Sequence, residues 1–187
     1  MKNIVLASGS PRRKELLSGL GIPFEVRIIP DIDESFPKDM SSAEIPCYIA
    51  RKKADTYRMT IKENELIITA DTVVVLEGRI IGKPVDRNDA IRMLHLLSGR
   101  THEVITSVVM TALEKQVEFS VHSKVDFAVL ENEAIIYYVD TFQPYDKAGA
   151  YGIQEWIGYI GVKGIQGSFY NVMGLPVQRL YEELKRF

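Results

Sequence analysis

Two long stretches of alternating apolar and polar residues in the second half of the chain constrain the fold most. His102–Leu113 and Gln116–Leu130 predict two long antiparallel strands, because successive side chains of a strand point to opposite faces of its sheet. Helical patterns flank them, at Arg87–Leu97 before and Pro176–Arg186 after. We therefore expect an α/β fold with a long mixed sheet flanked by helices, rather than a purely parallel doubly wound sheet.

The first half of the chain predicts strands that alternate with helices. Ser10 is placed as the N-cap of a helix whose first position is Pro11, a residue pair typical of helix starts. The chain shows no repeat and no linker, which predicts a single domain over residues 1–187. The further predicted elements are strands at Asn3–Ala7, Phe24–Ile29, Leu66–Ala70 and Val73–Leu76, helices at Ala43–Ile61 and Glu131–Asp140, and hairpin turns at Glu77-Gly78 and within Gly158–Ile165.

Three cations, Arg12, Arg13 and Lys14, stand at the predicted start of the first helix. The positive end of the helix dipole lies there, so these charges cost stability unless an anion binds beside them. Ser8, Gly9 and the free backbone N–H groups suit a phosphate, although the spacing of a P-loop is absent. A capped helix with solvated arginines explains the pattern about equally well.

A carboxylate, Asp71, follows the apolar run Leu66–Ala70. At the end of a central strand it would lie where open α/β sheets place their ligands. There it could act as a general base or bind a divalent cation. An aspartate that simply ends a strand is the ordinary alternative.

Single charged residues elsewhere carry weaker signals. Lys53 shares a predicted helix face with Ile49 and Tyr57, and Lys83 stands at a turn. Each lysine either extends to solvent or meets an anion. Glu34 lies in the acidic loop Pro30–Ser41, where most such side chains are solvated.

Small residues surround polar ones in the run Asp146–Gln154, sequence DKAGAYGIQ. Such a run suits a loop packed against a ligand, in which Gln154 reads a base edge with its paired donor and acceptor. A tight structural crossover is the alternative that the pattern alone favours slightly.

Composition limits the function classes. The formal net charge is -2, which argues against a broad basic surface for nucleic acid. The single cysteine, Cys47, excludes an internal disulfide and favours a reducing compartment. No apolar run is long enough for a signal sequence or a membrane span, so we expect a cytoplasmic protein without membrane partners. The three histidines lack the spacing of metal ligands and are interpreted as structural or solvated.

Seven stretches, taken together, resemble the Maf family of nucleoside triphosphate pyrophosphatases. They occur in the family's order and span nearly the whole chain. As they stand here they are LASGSPRRKELL, ARKKA, TADTVV, GKP, LSGRTHEVIT, DKAGAYGIQ and VMGLP.

The resemblance implies an enzyme that hydrolyses a nucleoside triphosphate to the monophosphate and pyrophosphate with a divalent cation, Mg²⁺ or Mn²⁺. It also implies a two-lobed α/β fold of the Maf and ITPase type, with the active site in a cleft, and it is compatible with a homodimer. Asp71 matches the family's proposed base, and Glu34 or Asp71 would hold the metal. The residues that match its triphosphate pocket are Ser8, Arg12, Arg13, Glu34, Lys53 and Lys83.

Three positions sort the family by substrate, and here they are Arg12, Thr72 and Gln154. This combination resembles that of members acting on dTTP and UTP, and it predicts selection for pyrimidines over purines. Glu155-Trp156-Ile157 depart from relatives that carry small residues there. Two alternatives remain open: modified nucleotides as the real substrates, and a nucleotide-binding regulator of cell division or septum formation with little turnover.

Overall fold

The computed structural model describes residues 2–187, so that only Met1 of the predicted domain lies outside the described residues. The chain divides into two compact units. The first comprises residues 2–72, 106–121 and 174–187, and the second comprises residues 73–105 and 122–173. None of the helices in residues 2–187 is long and apolar enough to cross a membrane.

Strands and helices alternate in the first half of the chain and cluster in the second. The strands are β1 (Asn3–Leu6), β2 (Phe24–Val26), β3 (Glu65–Leu76), β4 (Arg79–Ile81), β5 (Thr101–Thr111), β6 (Gln116–Phe127) and β7 (Val162–Gln166). The helices are α1 (Pro11–Ser18), α2 (Ile45–Arg58), α3 (Arg87–Leu97), α4 (Asn132–Phe142), α5 (Trp156–Gly161), α6 (Phe169–Met173) and α7 (Val177–Arg186), and Ala148–Ala150 form a short 3-10 turn.

The described strands form one mixed, seven-stranded sheet. Its order is β2-β1-β3-β5-β6-β7, with β4 paired to β3. Strand β1 runs parallel to both β2 and β3, whereas the β3–β4 and β6–β7 pairs are antiparallel. The expected mixed sheet flanked by helices is therefore confirmed.

Local chemistry explains where the first helix begins. The side chain of Ser10 accepts a hydrogen bond from the backbone N–H of Arg13, and Pro11 occupies the first turn. Leu16 and Leu17 are the buried residues of α1. Nearby, Val5, Ala7, Tyr57 and Ile67 form a buried apolar cluster that joins β1, β3 and α2. This cluster holds the carboxyl end of β1 against β3 and α2, and α1 follows β1 directly along the chain.

Several predicted elements differ in extent, such as β2, which ends at Val26 and not at Ile29, and two differ more substantially. Residues 66–76, predicted as two runs separated by Asp71-Thr72, form one strand, because both polar side chains find partners within the first unit. The predicted hairpin Gly158–Ile165 is instead the end of α5 followed by β7. Gly158 marks a close approach rather than a turn, since a Cβ there would lie 1.8 Å from the carbonyl oxygen of Ile153.

The Arg27–Glu65 ion pair makes the stability of the first unit depend on pH. Arg27 binds both carboxylate oxygens of Glu65, at 3.0 and 2.6 Å. These hydrogen bonds lower the pKa of Glu65 to about 2 from an ordinary value of 4.5. A carboxylate with a depressed pKa adds stability above the unfolded-state value, and this contribution is lost as the pH falls towards the folded-state value.

We expect Glu65→Gln to lose stability relative to the parent protein at neutral pH, with the difference disappearing as the pH falls from about 4.5 to about 2. Urea unfolding at several pH values measures it. Glu118→Gln, which removes the exposed Arg51–Glu118 pair, is the control and should change the free energy of unfolding by less than about 1 kcal/mol. If the difference in the free energy of unfolding between Glu65→Gln and the parent protein did not change with pH, it would not come from the ionised Glu65 carboxylate.

Candidate active site

The site in the first unit begins where the parallel pairing ends. Strand β1 pairs with β3 only as far as Ile68, after which the chain leaves the sheet through Ala7 and Ser8 towards α1. Asp71 therefore lies inside β3, but three residues past the last residue paired with β1. Open α/β sheets bind ligands at the carboxyl ends of their parallel strands, and Asp71 lies just beyond the carboxyl end of β1, although β3 itself continues to Leu76.

One ammonium group is shared by two carboxylates at this point. Lys53 Nζ lies 2.9 Å from Asp71 Oδ1 and 2.8 Å from Glu34 Oε1. The Lys53 and Asp71 side chains are only 12% and 11% exposed, whereas that of Glu34 is 48% exposed. Helix α2 thus supplies a buried cation that joins a strand carboxylate to one in the acidic loop. The lysine meets anions, which was one of its two interpretations from sequence.

Burial raises the pKa of Asp71 above the ordinary aspartate value. The positive charges of Lys53 and Arg13 oppose this rise, and the negative charge of Glu34 adds to it. Because desolvation outweighs the opposing cations, Asp71 is a stronger proton acceptor than a solvated aspartate. Asp71 therefore has the environment expected of a general base.

Arg13 brackets Asp71 by binding its two chain neighbours. Its Nη1 donates to the carbonyl oxygen of Ala70 at 2.8 Å, and its Nη2 donates to Thr72 Oγ1 at 3.1 Å. Its Nε donates to the carbonyl oxygen of Gly174 at 2.9 Å. A guanidinium carries five N–H donors, and protein oxygens take up most of these. Arg13 thus holds the backbone before Asp71 and the side chain of the residue after it, a use that the sequence did not predict.

Two residues that support Arg13 were missed from the sequence. Thr106, fully buried on β5, has its hydroxyl 2.9 Å from that of Thr72. Gly174 has φ +115°, where a side chain is strained, and this conformation presents its carbonyl to Arg13. Both lie within stretches that carry the family resemblance, which is the only signal that marks them.

The start of α1 places the remaining predicted residues of the first unit. Ser8 Oγ accepts from the backbone N–H of Ser10 at 3.2 Å and lies 3.5 Å from Arg13 Nη1. Arg12, the second residue of the helix, is half-buried. The structure therefore arranges these residues in two groups of contacts, Ser8–Arg13–Thr72 and Glu34–Lys53–Asp71. The two groups meet along β3, where the charge of Arg13 acts on Asp71.

Lys83 and Gln154 belong to the second unit, and their part in the site stays a prediction. Lys83 is exposed in the segment after β4. Gln154 follows the 3-10 turn, and its Oε1 is buried without a hydrogen-bond partner among the described residues. His102 is also in this unit, where it is buried against the hydroxyl of Tyr151 at 2.7 Å. His102 is structural, as the sequence indicated.

The carboxylate pair fits a hard divalent cation. Within residues 2–187, no three His, Cys, Asp or Glu side chains are grouped as metal ligands. Asp71 and Glu34 converge on one ammonium, so two carboxylates lie at the same place. Mg²⁺ is commonly held by one or two carboxylates, with water and substrate phosphates completing its shell.

The comparison with protein families agrees with this geometry. A family model described as "Maf-like protein" matches residues 3–187. The chain belongs to the Maf family. Two members illustrate the relationship, a protein of Bacteroides thetaiotaomicron at 60% identity and one of Parabacteroides distasonis at 61%, both named "dTTP/UTP pyrophosphatase". In each case the match covers 98% of this chain and 95% of the relative.

A solved structure supports the fold of this Maf family member independently of close sequence identity. The Ham1 protein of Staphylococcus aureus superposes with a TM-score of 0.53 at 19% identity, covering 99% of both chains. At that identity the likeness concerns the fold alone. It agrees with the mixed α/β architecture that the sequence predicted.

We expect the pKa of Asp71 to lie above that of a solvated aspartate, which is about 3.9. Lys53→Met should raise the pKa of Asp71 further, because it removes the cation that stabilises the carboxylate. Carbon-13 NMR of the aspartate carboxyl groups measures both. Lys52→Met is the matched control, because Lys52 binds Asp33 at 2.7 Å and should leave the Asp71 titration unchanged. Equal effects of the two lysine variants would contradict the shared-cation geometry.

Arg13→Lys keeps the charge but cannot reach Ala70, Thr72 and Gly174 together. Because it leaves buried carbonyl groups without donors, we expect the free energy of unfolding to fall by about 2–4 kcal/mol. Thermal or urea unfolding measures this loss. Lys14→Arg, an exposed charge-conserving change on the same helix, should be neutral. If the Arg13→Lys protein were as stable as the parent, the contacts of Arg13 with Ala70, Thr72 and Gly174 would not be what holds the chain around Asp71.

Proposed function

We propose that this chain is a nucleoside triphosphate pyrophosphatase that converts dTTP and UTP to the monophosphate and pyrophosphate. The observation that carries the proposal is Asp71, buried, raised in pKa and held by Lys53 at the carboxyl end of parallel strands. The names of relatives that are 55–61% identical, "dTTP/UTP pyrophosphatase", support the substrate class. We propose that residues 1–187 act as one domain, since the family model spans residues 3–187.

Asp71 accepts the proton of the attacking water in this mechanism. The water oxygen forms a bond to the α-phosphorus, and the bond from that phosphorus to the bridging oxygen of the β-phosphate breaks. Pyrophosphate leaves with the electron pair of this bond, and the nucleotide keeps the new oxygen. The raised pKa of Asp71 makes it a better base, and Lys53 favours the ionised carboxylate and orients it.

Positive charge stabilises the leaving pyrophosphate. Arg12 and Lys83 are proposed as phosphate ligands, and Lys53 is already directed at the carboxylates beside the reacting centre. Arg13 contributes its charge and mainly fixes the strand around Asp71. A divalent cation, Mg²⁺ or Mn²⁺ held by Glu34 and Asp71, would supply further neutralisation of the phosphate oxygens when bound.

Gln154 is proposed to read the base. Its Oε1 is buried and lacks a hydrogen-bond partner among residues 2–187, which is costly unless a ligand supplies a donor. The N3–H of uracil or thymine is such a donor, and the amide N–H of Gln154 can donate to the neighbouring carbonyl. Thr72, the second specificity position, acts through Arg13, because its hydroxyl binds Arg13 and Thr106. A cytoplasmic location and a homodimer stay predictions.

We expect Asp71→Asn to keep the fold and lose about two to four decades of rate, the usual scale for the loss of a general base. Pyrophosphate release is measured from a panel of canonical and modified nucleoside triphosphates, with Mg²⁺, with Mn²⁺ and with a chelator. If the parent protein binds nucleotide but releases no pyrophosphate, the proposed reaction is wrong and the protein is a nucleotide-binding regulator. Folded Asp71→Asn with parental turnover would exclude Asp71 as the base.

Gln154→Glu removes the amide donor and places a negative charge near the base, so we expect a weaker preference for pyrimidine triphosphates. Competition between UTP and a purine triphosphate measures the ratio of their kcat/KM values. An unchanged ranking of substrates would show that other groups read the base.

A further inference from the structure

A second buried polar network lies in the second unit, around the residue proposed to read the base. Residues 152–155 form a tight turn closed by a hydrogen bond from the backbone N–H of Glu155 to the carbonyl oxygen of Gly152, at 3.0 Å. Gln154 is the third residue of this turn. The direction of its side chain therefore depends on how firmly the two ends of the turn are held.

One hydroxyl group, that of Tyr138 on α4, binds both ends of the turn. It accepts a hydrogen bond from the backbone N–H of Gly152 at 2.9 Å and donates to Glu155 Oε2. Tyr138 is fully buried and stacks on Phe142 with the ring centroids 5.1 Å apart. A side chain fixed in this way holds its hydroxyl in one place, so the turn is tied to a helix.

The Glu155 carboxylate is also held from a second direction. Lys147 Nζ lies 3.2 Å from Glu155 Oε1, and the Lys147 side chain is only 10% exposed. The carboxylate folds over Gly152 so closely that a Cβ on that glycine would lie 2.7 Å from Glu155 Cδ. Glu155 is therefore a fixed part of the turn.

We propose that Tyr138 and Glu155, assisted by Lys147, are positioning residues that fix the turn 152–155 so that Gln154 discriminates between pyrimidine bases. This inference rests on the proposed function. A glutamine amide satisfies uracil in one orientation and cytosine in the flipped one. Discrimination between the two bases therefore depends on how tightly the turn holds the side chain, and not only on the presence of a glutamine.

The test compares the kcat/KM ratio of UTP to CTP in variants of the turn. Tyr138→Phe, Glu155→Gln and Gly152→Ala each loosen it by a different route, the last by displacing the Glu155 carboxylate with a methyl group. We expect each to lower the ratio by about three- to tenfold, chiefly through the KM for UTP. Asp140→Asn is the control. Asp140 lies on α4, like Tyr138, and the change breaks only its exposed ion pair with Arg87 of α3, so we expect the parental ratio.

A double variant separates positioning from general loss of stability. If Tyr138 acts through Gln154, then adding Tyr138→Phe to Gln154→Ala changes the ratio no further, because the effects of coupled residues are not additive. Thermal unfolding identifies variants that fail to fold. Because three different variants loosen the turn, the test stands as long as one of them folds.

Each result decides between the two proposals. Suppose that Gln154→Ala lowers the ratio but the folded turn variants keep it at the parental value, or slow both substrates equally. That result overturns the positioning role and leaves base reading by Gln154 intact. A parental ratio in Gln154→Ala overturns base reading by Gln154, and the positioning role with it. No pyrophosphate release by the parent protein overturns the proposed reaction itself.

Discussion

The ammonium group of Lys53, shared between Asp71 and Glu34, is the interaction on which the first unit's chemistry depends. Burial raises the pKa of Asp71, and the charge of Lys53 opposes that rise. The cation and the desolvation therefore act in opposite directions on the same carboxylate. The net pKa lies above that of a surface aspartate, so Asp71 is the stronger base of the two.

This balance requires a strand that does not shift. Beyond Ile68 the β3 backbone has lost its β1 neighbour, so its carbonyl groups on that side need another donor. Arg13 supplies it at Ala70, and its fork also reaches the Thr72 hydroxyl. The cationic start of α1 therefore has two tasks: Arg13 supports the strand from within the protein, and Arg12 is proposed as a phosphate ligand.

The sequence predicted the element types well where periodicity was strong, as for α3, whose bounds Arg87–Leu97 agree fully with the structure. The prediction failed at Gly158, which was interpreted as part of a hairpin. This glycine lies inside a short helix, where it allows a close contact with another part of the backbone. The family resemblance pointed to individual residues, such as Lys53 and Asp71, that the structure brings into contact. The contacts themselves were not predictable, because whether Arg13 binds a phosphate or a carbonyl depends on where β1 ends and how Gly174 turns, which no local pattern records. The Tyr138–Glu155 contact was equally invisible, since it joins residues 17 positions apart.

Hydrolysis of UTP in water enriched in oxygen-18 tests the central claim most directly. Attack by water at the α-phosphorus predicts that the parent protein releases UMP carrying one heavy oxygen together with unlabelled pyrophosphate. Mass spectrometry of the products measures the position of the label. Label in the pyrophosphate, or release of inorganic phosphate with UDP, would place the attack at another phosphorus and contradict the account.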